Sequence, residues 1–301
     1  MLPHHLEIKT EEEREPPLPP SAAPDVAASL PITIIDARHN WLGENLRAVW
    51  EYRELLFLLV WRDVAVRYKQ TVLGIGWAVL QPLLTMVVFS AVFGSFAKIP
   101  SDGVPYPVFA YTALLPWSYF SGALTRSGNS LVGNANLISK VFFPRLLVPL
   151  AAALAGLVDF AVAFVILLGL MVFYGIRPTA TLWALPLFLL LAFATALGVG
   201  LWLSALNVKY RDVGYLLPFI VQIWMYASPV AYPSSIVPDR FRVLFGLNPM
   251  AGVIEGFRAA LLGTRTLDWS LLAASLLIVA VLLFTGALYF NRSEEMFADV
   301  V

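Results

Sequence analysis

Apolar residues run along this chain in long blocks that polar residues barely interrupt. Between residues 71 and 125 the only charges are Lys98 and Asp102, and between 146 and 206 they are Asp159 and Arg177. A helix needs an apolar stretch of about 20 residues to cross a bilayer, and lipid offers no water to satisfy open backbone groups. The pattern predicts six spans, roughly over 72–96, 107–124, 146–174, 182–206, 214–232 and 269–290.

Ahead of the first span the pattern changes. Leu42, Leu46, Val49, Trp50, Leu56, Phe57, Val60 and Val64 recur at helical spacing, with Glu44, Arg47, Glu51, Glu54 and Arg62 on much of the other side. The continuous apolar run, 55–61, is too short to span, which predicts an amphipathic helix in the interface, with its junction, over 41–70. Between the fifth and sixth spans, Pro229, Pro233, Pro238 and Asn248-Pro249 surround two short amphipathic pieces, 239–247 and 250–262. They are shorter than a span and too apolar for a free loop, so they are expected to be re-entrant. The expected fold is an all-α integral membrane protein: six transmembrane helices over 71–291, an amphipathic interface helix before them, and short re-entrant helices between the fifth and sixth.

The ends differ from this. Residues 1–40 hold seven of the 21 prolines and ten charges. Such a segment cannot bury a core and is expected to be a disordered cytosolic extension, either a linker or a partner-binding tail. Residues 292–301 are expected to form a cytosolic tail.

Composition agrees with the pattern. The chain is 59% hydrophobic and 13% charged, where soluble proteins carry about 25% charged residues. That excludes a soluble enzyme and a single-anchor receptor with a large ectodomain. A net charge of zero implies no nucleic-acid partner. With no cysteine, disulfides, thiolate metal sites and cysteine nucleophiles are excluded. His4, His5 and His39 all precede the spans, so histidine chemistry inside the membrane is excluded as well. The acidic, proline-rich N-terminus does not read as a cleaved signal peptide.

Lysine and arginine bias sets the expected orientation. Arg47, Arg53, Arg62, Arg67, Lys69, Arg126, Lys140, Arg145, Lys209, Arg211 and Arg292 flank one side, whereas Lys98 and Arg177 mark the short loops of the other. Both termini are therefore expected in the cytoplasm. No internal repeat is evident, which weighs against the repeat-built secondary transporters.

Catalytic chemistry finds little to work with. No paired-carboxylate cluster, no Asp-x-Asp and no Gly-Lys of a phosphate loop occurs, so any ATP that drives this protein must be hydrolysed by another chain. Four features suit transport instead. Arg62, Arg67, Tyr68 and Lys69 stand where the interface helix meets the first span; they suit phosphate oxygens or ordinary anchoring to anionic lipid. Trp77, Gln81, Thr85, Phe89 and Phe93 recur every four residues on the first span, and Tyr215, Phe219, Gln222 and Tyr226 form one stripe on the fifth. Aromatic faces and amides fit a sugar, though helix contact and an aromatic belt make similar patterns. Asp159 lies in the middle of the third span, where a carboxylate needs a partner or a wet cavity; a proton relay and a structural hydrogen bond both remain open. Segment 126–145, closed before Pro144, is a short exposed piece suited to docking on a cytosolic partner or to linking two spans.

In order and spacing these segments resemble the permease subunits of ABC exporters that move polysaccharides, the O-antigen, capsule and teichoic-acid class. The resemblance covers about 41–291. It rests on Arg62-Asp63, Arg67-Tyr68-Lys69-Gln70-Thr71-Val72-Leu73-Gly74-Ile75-Gly76-Trp77 and Gln81-Pro82, then Leu114-Leu115-Pro116-Trp117 and Val141-Phe142-Phe143-Pro144-Arg145, and finally Tyr210-Arg211-Asp212-Val213, Ser228-Pro229-Val230 and Asn248-Pro249. It implies a homodimer in the bacterial inner membrane, two copies of a cytosolic ATPase subunit that bind ATP and Mg, and no cofactor on this chain. It further implies a coupling helix between the second and third spans, for which Asn129, Leu137 and Lys140 are the candidates. A channel lined by the first and fifth spans and a polyprenyl-linked polysaccharide substrate complete the picture. Drug, haem or lipid permeases of the same fold and a proton-coupled symporter using Asp159 are the alternatives.

Overall fold

The computed structural model describes residues 47, 49–69, 76–238, 245–264 and 269–300, with side chains through 294. The expected extension over 1–40, the start of the first span and most of the piece at 239–247 lie outside the described residues.

Every regular element among the described residues is helical. The order is α1 (Arg53–Lys69), α2 (Gly76–Phe89), α3 (Tyr106–Gly133), α4 (Ala135–Lys140), α5 (Leu147–Leu154), α6 (Gly156–Phe173), α7 (Leu185–Lys209), α8 (Val213–Ala227), α9 (Pro249–Leu262) and α10 (Trp269–Val300). A π-helical stretch, Ser90–Phe96, prolongs α2, and a short 3₁₀ turn, Ala180–Ala184, leads into α7.

Four of the six expected spans are long and apolar enough to cross a membrane: Gly76–Phe96, Leu147–Phe173, Ala180–Lys209 and Trp269–Glu294. The chain is a multi-pass membrane protein. The other two expected spans differ for physical reasons. Helix α3 has the length, 28 residues, but occupies the centre of the bundle. Its Tyr111, Thr112, Ser127 and Ser130 are buried against other helices, so it need not carry the apolarity that lipid demands. Helix α8 is apolar but has 15 residues, about 22 Å at 1.5 Å per residue, against a hydrocarbon layer of about 30 Å.

Two boundaries also differ from expectation. The third span breaks at Ala155 into α5 and α6 while remaining one apolar passage. The last helix does not stop near 290 but runs on to Val300, through the expected tail.

Packing centres on α7, which lies between α3 and α10. Gly200 faces Ser127 of α3, where a Cβ would stand 2.5 Å from the serine hydroxyl, and Gly198 faces the backbone of α10. Small residues at a crossing let membrane helices approach closely and gain dispersion contacts where lipid supplies no hydrophobic drive. Leu114, Phe120, Leu167, Phe188, Ile254 and Phe257 belong to the large central cluster. A second cluster at the other end gathers Leu59, Leu131, Ile138, Phe143, Leu147, Leu201 and Phe290. Helix α1 joins the fold there, with Leu55, Leu56, Leu59 and Val60 packed inward. Its outer surface exposes Phe57, Leu58 and Trp61.

Helix α9 is buried along nearly its whole length. Asn248 caps it by accepting from the Met250 N–H at 3.0 Å, and Gly263, at φ 65°, closes it. From its middle, Arg258 donates to the carbonyls of Val230 and Tyr232, both at 3.1 Å, pairs with Glu255 at 3.1 Å and lies 3.7 Å over the Phe109 ring. That one side chain pins the loop leaving α8.

Candidate functional site

The C-terminal end of α1 lies against α6. Arg67 Nη1 donates to Asp159 Oδ2 and the Tyr68 hydroxyl donates to Asp159 Oδ1. Asp159, alone on an apolar helix in the sequence, thus has a cation and a phenol brought to it by an element about 90 residues earlier (|i−j| of 92 and 91). Burial, and after it the neighbouring Asp159 carboxylate, push the Tyr68 phenol up to about 12. The phenol therefore keeps its proton and donates.

A cavity of about 450 Å³ opens beside this pair. Trp77, Gln81 and Thr85 line it from α2, so three of the five first-span candidates share a site with Arg67 and Tyr68. Phe89 and Phe93 do not reach it; they pack on each other farther along, 5.1 Å between ring centroids. The remaining two basic candidates go elsewhere. Arg62 pairs with Asp63 at 2.8 Å and donates to Asn134 at 2.8 Å, and Lys69 is exposed.

On α8, Tyr215, Phe219 and Tyr226 are 79%, 65% and 62% exposed, and Gln222 is exposed beside them. Gln222 also borders a groove between α3 and α8, lined by Ser121, Gly122, Thr125, Arg126, Pro218 and Met225 among others. Ser121, Gly122 and Arg126 line the Asp159 cavity too. One stretch of α3 therefore separates two recesses, one reached from α2 and the other from α8.

Arg126 is the residue that sequence reading passed over, as one flanking charge among many. Its signal was its position after an otherwise uncharged run, but the partner surfaces that make it matter belong to α5 and α6. Its guanidinium lies against Gly156 and Gly122, and its Nε donates to the Ala152 carbonyl at 3.3 Å.

The coupling candidates divide. Asn129 turns into the bundle, accepting from Asn207 at 3.0 Å while donating to the Thr125 carbonyl at 2.9 Å. Asn207 in turn accepts from the Gly214 N–H at 3.0 Å, which fixes the turn from α7 to α8. Asn129 is thus correctly placed for holding helices together and not for docking. Leu137 packs partly into the second cluster. Lys140 is exposed, as are Asn136, Ser139 and Phe142.

Two separated motifs meet around Asn248. Its Oδ1 accepts from Trp224 Nε1 at 2.8 Å, and its Nδ2 donates to Ser228 Oγ at 2.9 Å. Among the described residues no group of three or more histidine, aspartate and glutamate side chains gathers as a metal site needs.

The chain is similar to known transport proteins. The O-antigen export system permease protein RfbA of Myxococcus xanthus is 29% identical over 259 residues, 85% of this chain and 98% of that one. An RfbA of Klebsiella pneumoniae is 27% identical over 82% of this chain and 95% of its own length. The polysialic acid transport protein KpsM of Escherichia coli is 24% identical over 81% and 94%. Residues 54–262 match the ABC-2 type transporter family, an extent that takes in α1 through α9 and both recesses. The chain belongs to the ABC-2 type transporter family of membrane proteins.

Proposed function

We propose that this chain is the permease subunit of an ATP-driven exporter that carries a lipid-linked polysaccharide, of the O-antigen kind, across the bacterial inner membrane. The observation that carries the reading is the exposed polar-aromatic stripe on α8, together with exposed Trp77 and Gln81 on α2, beside two recesses that flank one stretch of α3. A conduit for sugars needs ring faces for C–H surfaces and amides for hydroxyls, and two copies of the chain would bring such faces together. The glycan as cargo is supported by relatives that are O-antigen export permeases and a polysialic acid transport protein.

In the proposed assembly two copies of the chain meet two ATPase subunits, which bind ATP and Mg. Six passages cross the membrane, with α3 and α8 as the second and fifth, α1 in the interface, α9 re-entrant and both termini cytoplasmic. The surface of Asn136, Ser139, Lys140 and Phe142 receives the ATPase. Arg67 and Tyr68, with Arg62 and Lys69 nearby, meet the phosphates of the polyprenyl anchor.

Deleting the chain in its native cell tests this. The expected result is loss of surface glycan, accumulation of lipid-linked glycan inside, and recovery of both on complementation. Normal surface glycan in the deletion strain, with changed efflux of drug or haem instead, would overturn it.

A further inference from the structure

The exporter reading leaves Arg126 without a task. Its Nε is occupied, yet among the described residues its two terminal nitrogens have no hydrogen-bond acceptor. The fold keeps room for them. A Cβ on Gly156 would stand 2.2 Å from Nη2, and one on Gly122 would stand 2.9 Å from Nη1. Gly156 is one helical turn before Asp159 and on the same face of α6, so Arg126 enters the cavity beside the Arg67–Asp159 pair. Two guanidiniums then face one carboxylate. Asp159 sets one oxygen on Arg67 and the other on Tyr68, the way phosphate oxygens sit on a charged donor and a hydroxyl.

We propose that this cavity is a binding site for a phosphate or pyrophosphate group, received by Arg126, Arg67 and Tyr68, with the Asp159 carboxylate holding the anion's place while the site is empty. The inference rests on the exporter reading for the origin of the anion and deepens it by naming its receptor. The two guanidiniums match the two charges of a pyrophosphate diester, whereas the carboxylate balances only one. An arriving anion displaces Asp159 from Arg67 and Tyr68 and gives the free nitrogens of Arg126 their acceptors. Exchanging one anion for another keeps the half-buried Arg67 from being left without a counter-charge, a costly condition in proportion to how far the charge is withdrawn from water. Asp159 is therefore a competitor of the ligand, and its removal has a sign that a structural role does not share.

The test is a calorimetric titration of the full chain in phosphatidylcholine nanodiscs with farnesyl pyrophosphate, inorganic pyrophosphate and farnesol. The wild type is expected to bind farnesyl pyrophosphate and not farnesol. Arg126→Gln should weaken binding tenfold or more, and Arg126→Lys severalfold, since an ammonium lacks the planar fork. Asp159→Asn should tighten it severalfold. Equal affinity for inorganic pyrophosphate would support the site with the free anion as its ligand, while preference for the farnesyl ester would support a lipid headgroup. Absence of binding by the wild type, unchanged affinity in both Arg126 variants, or unchanged or weaker affinity in Asp159→Asn would overturn the proposal. Should Arg126→Gln not fold, by gel filtration, the lysine variant and Asp159→Asn decide alone. Surface glycan in the deletion strain tests the exporter reading separately: either result can fail with the other intact.

Discussion

Gly198 and Gly286 meet backbone to backbone where α7 crosses α10: a Cβ on Gly286 would stand 2.2 Å from the Gly198 carbonyl oxygen. One on Gly198 would meet backbone atoms of Leu282 and Leu283 at 2.9 Å each. Neither helix can yield without moving its neighbours, because the obstructing atoms are main chain. Overpacking of this kind costs about 1–3 kcal/mol. Gly286→Ala should therefore lower the thermal midpoint of the purified protein by several degrees. Gly169→Ala, at a site with nothing within 4 Å, should not lower it. Equal midpoints for the two variants would show that the crossing relaxes freely.

The stripe on α8 is expected to face the transported chain. Gln222→Leu and Tyr226→Leu should reduce export at normal levels of inserted protein. Ile223→Leu is the control, since Ile223 is 69% exposed and already apolar. Leu217 cannot serve as a control, because it is fully buried and any larger residue there damages the core. Export that is insensitive to both stripe variants would assign the stripe to packing or lipid.

The surface presented by α4 should lie against the ATPase. The chain has no cysteine, so single cysteines report cleanly. One at Ser139 or Asn136, both exposed, should crosslink to the ATPase subunit, while one at Arg177, in the loop after α6, should not. The opposite pattern would invert the proposed orientation along with the docking surface.

Asn248→Ala removes the cap of α9, the acceptor for Trp224 Nε1 and the donor to Ser228 at one stroke. Loss of a cap costs about 1 kcal/mol, and the half-buried Trp224 donor left without its acceptor adds to it, at most the roughly 1–3 kcal/mol of a fully buried one. The variant should unfold at a clearly lower temperature. Asn248→Asp, which retains the acceptor, should recover part of the loss, and failure of both to shift the midpoint would show that water replaces the amide.

What the sequence by itself determined were properties that repeat along one helix. Lipid accepts only long apolar helices, so the passages at Gly76–Phe96, Leu147–Phe173, Ala180–Lys209 and Trp269–Glu294 were legible from composition alone. So was the periodic face of α8, because every fourth residue returns to the same side. Properties set by a neighbour were not legible. The polarity of α3 looks like a weak span until its central position shows that other helices, not lipid, surround it. Asn129 looks like part of an exposed connection until the Asn207 amide of α7 donates to it and ties it into the bundle. Arg67, Tyr68 and Asp159 each appear in the sequence as an isolated polar group with two readings open. Tertiary structure made them one site, because a charge placed at the edge of or within lipid lowers its free energy by finding an opposite charge, and that charge lay about 90 residues away. No local pattern encodes such a meeting; the packing of α1 onto the end of the bundle does.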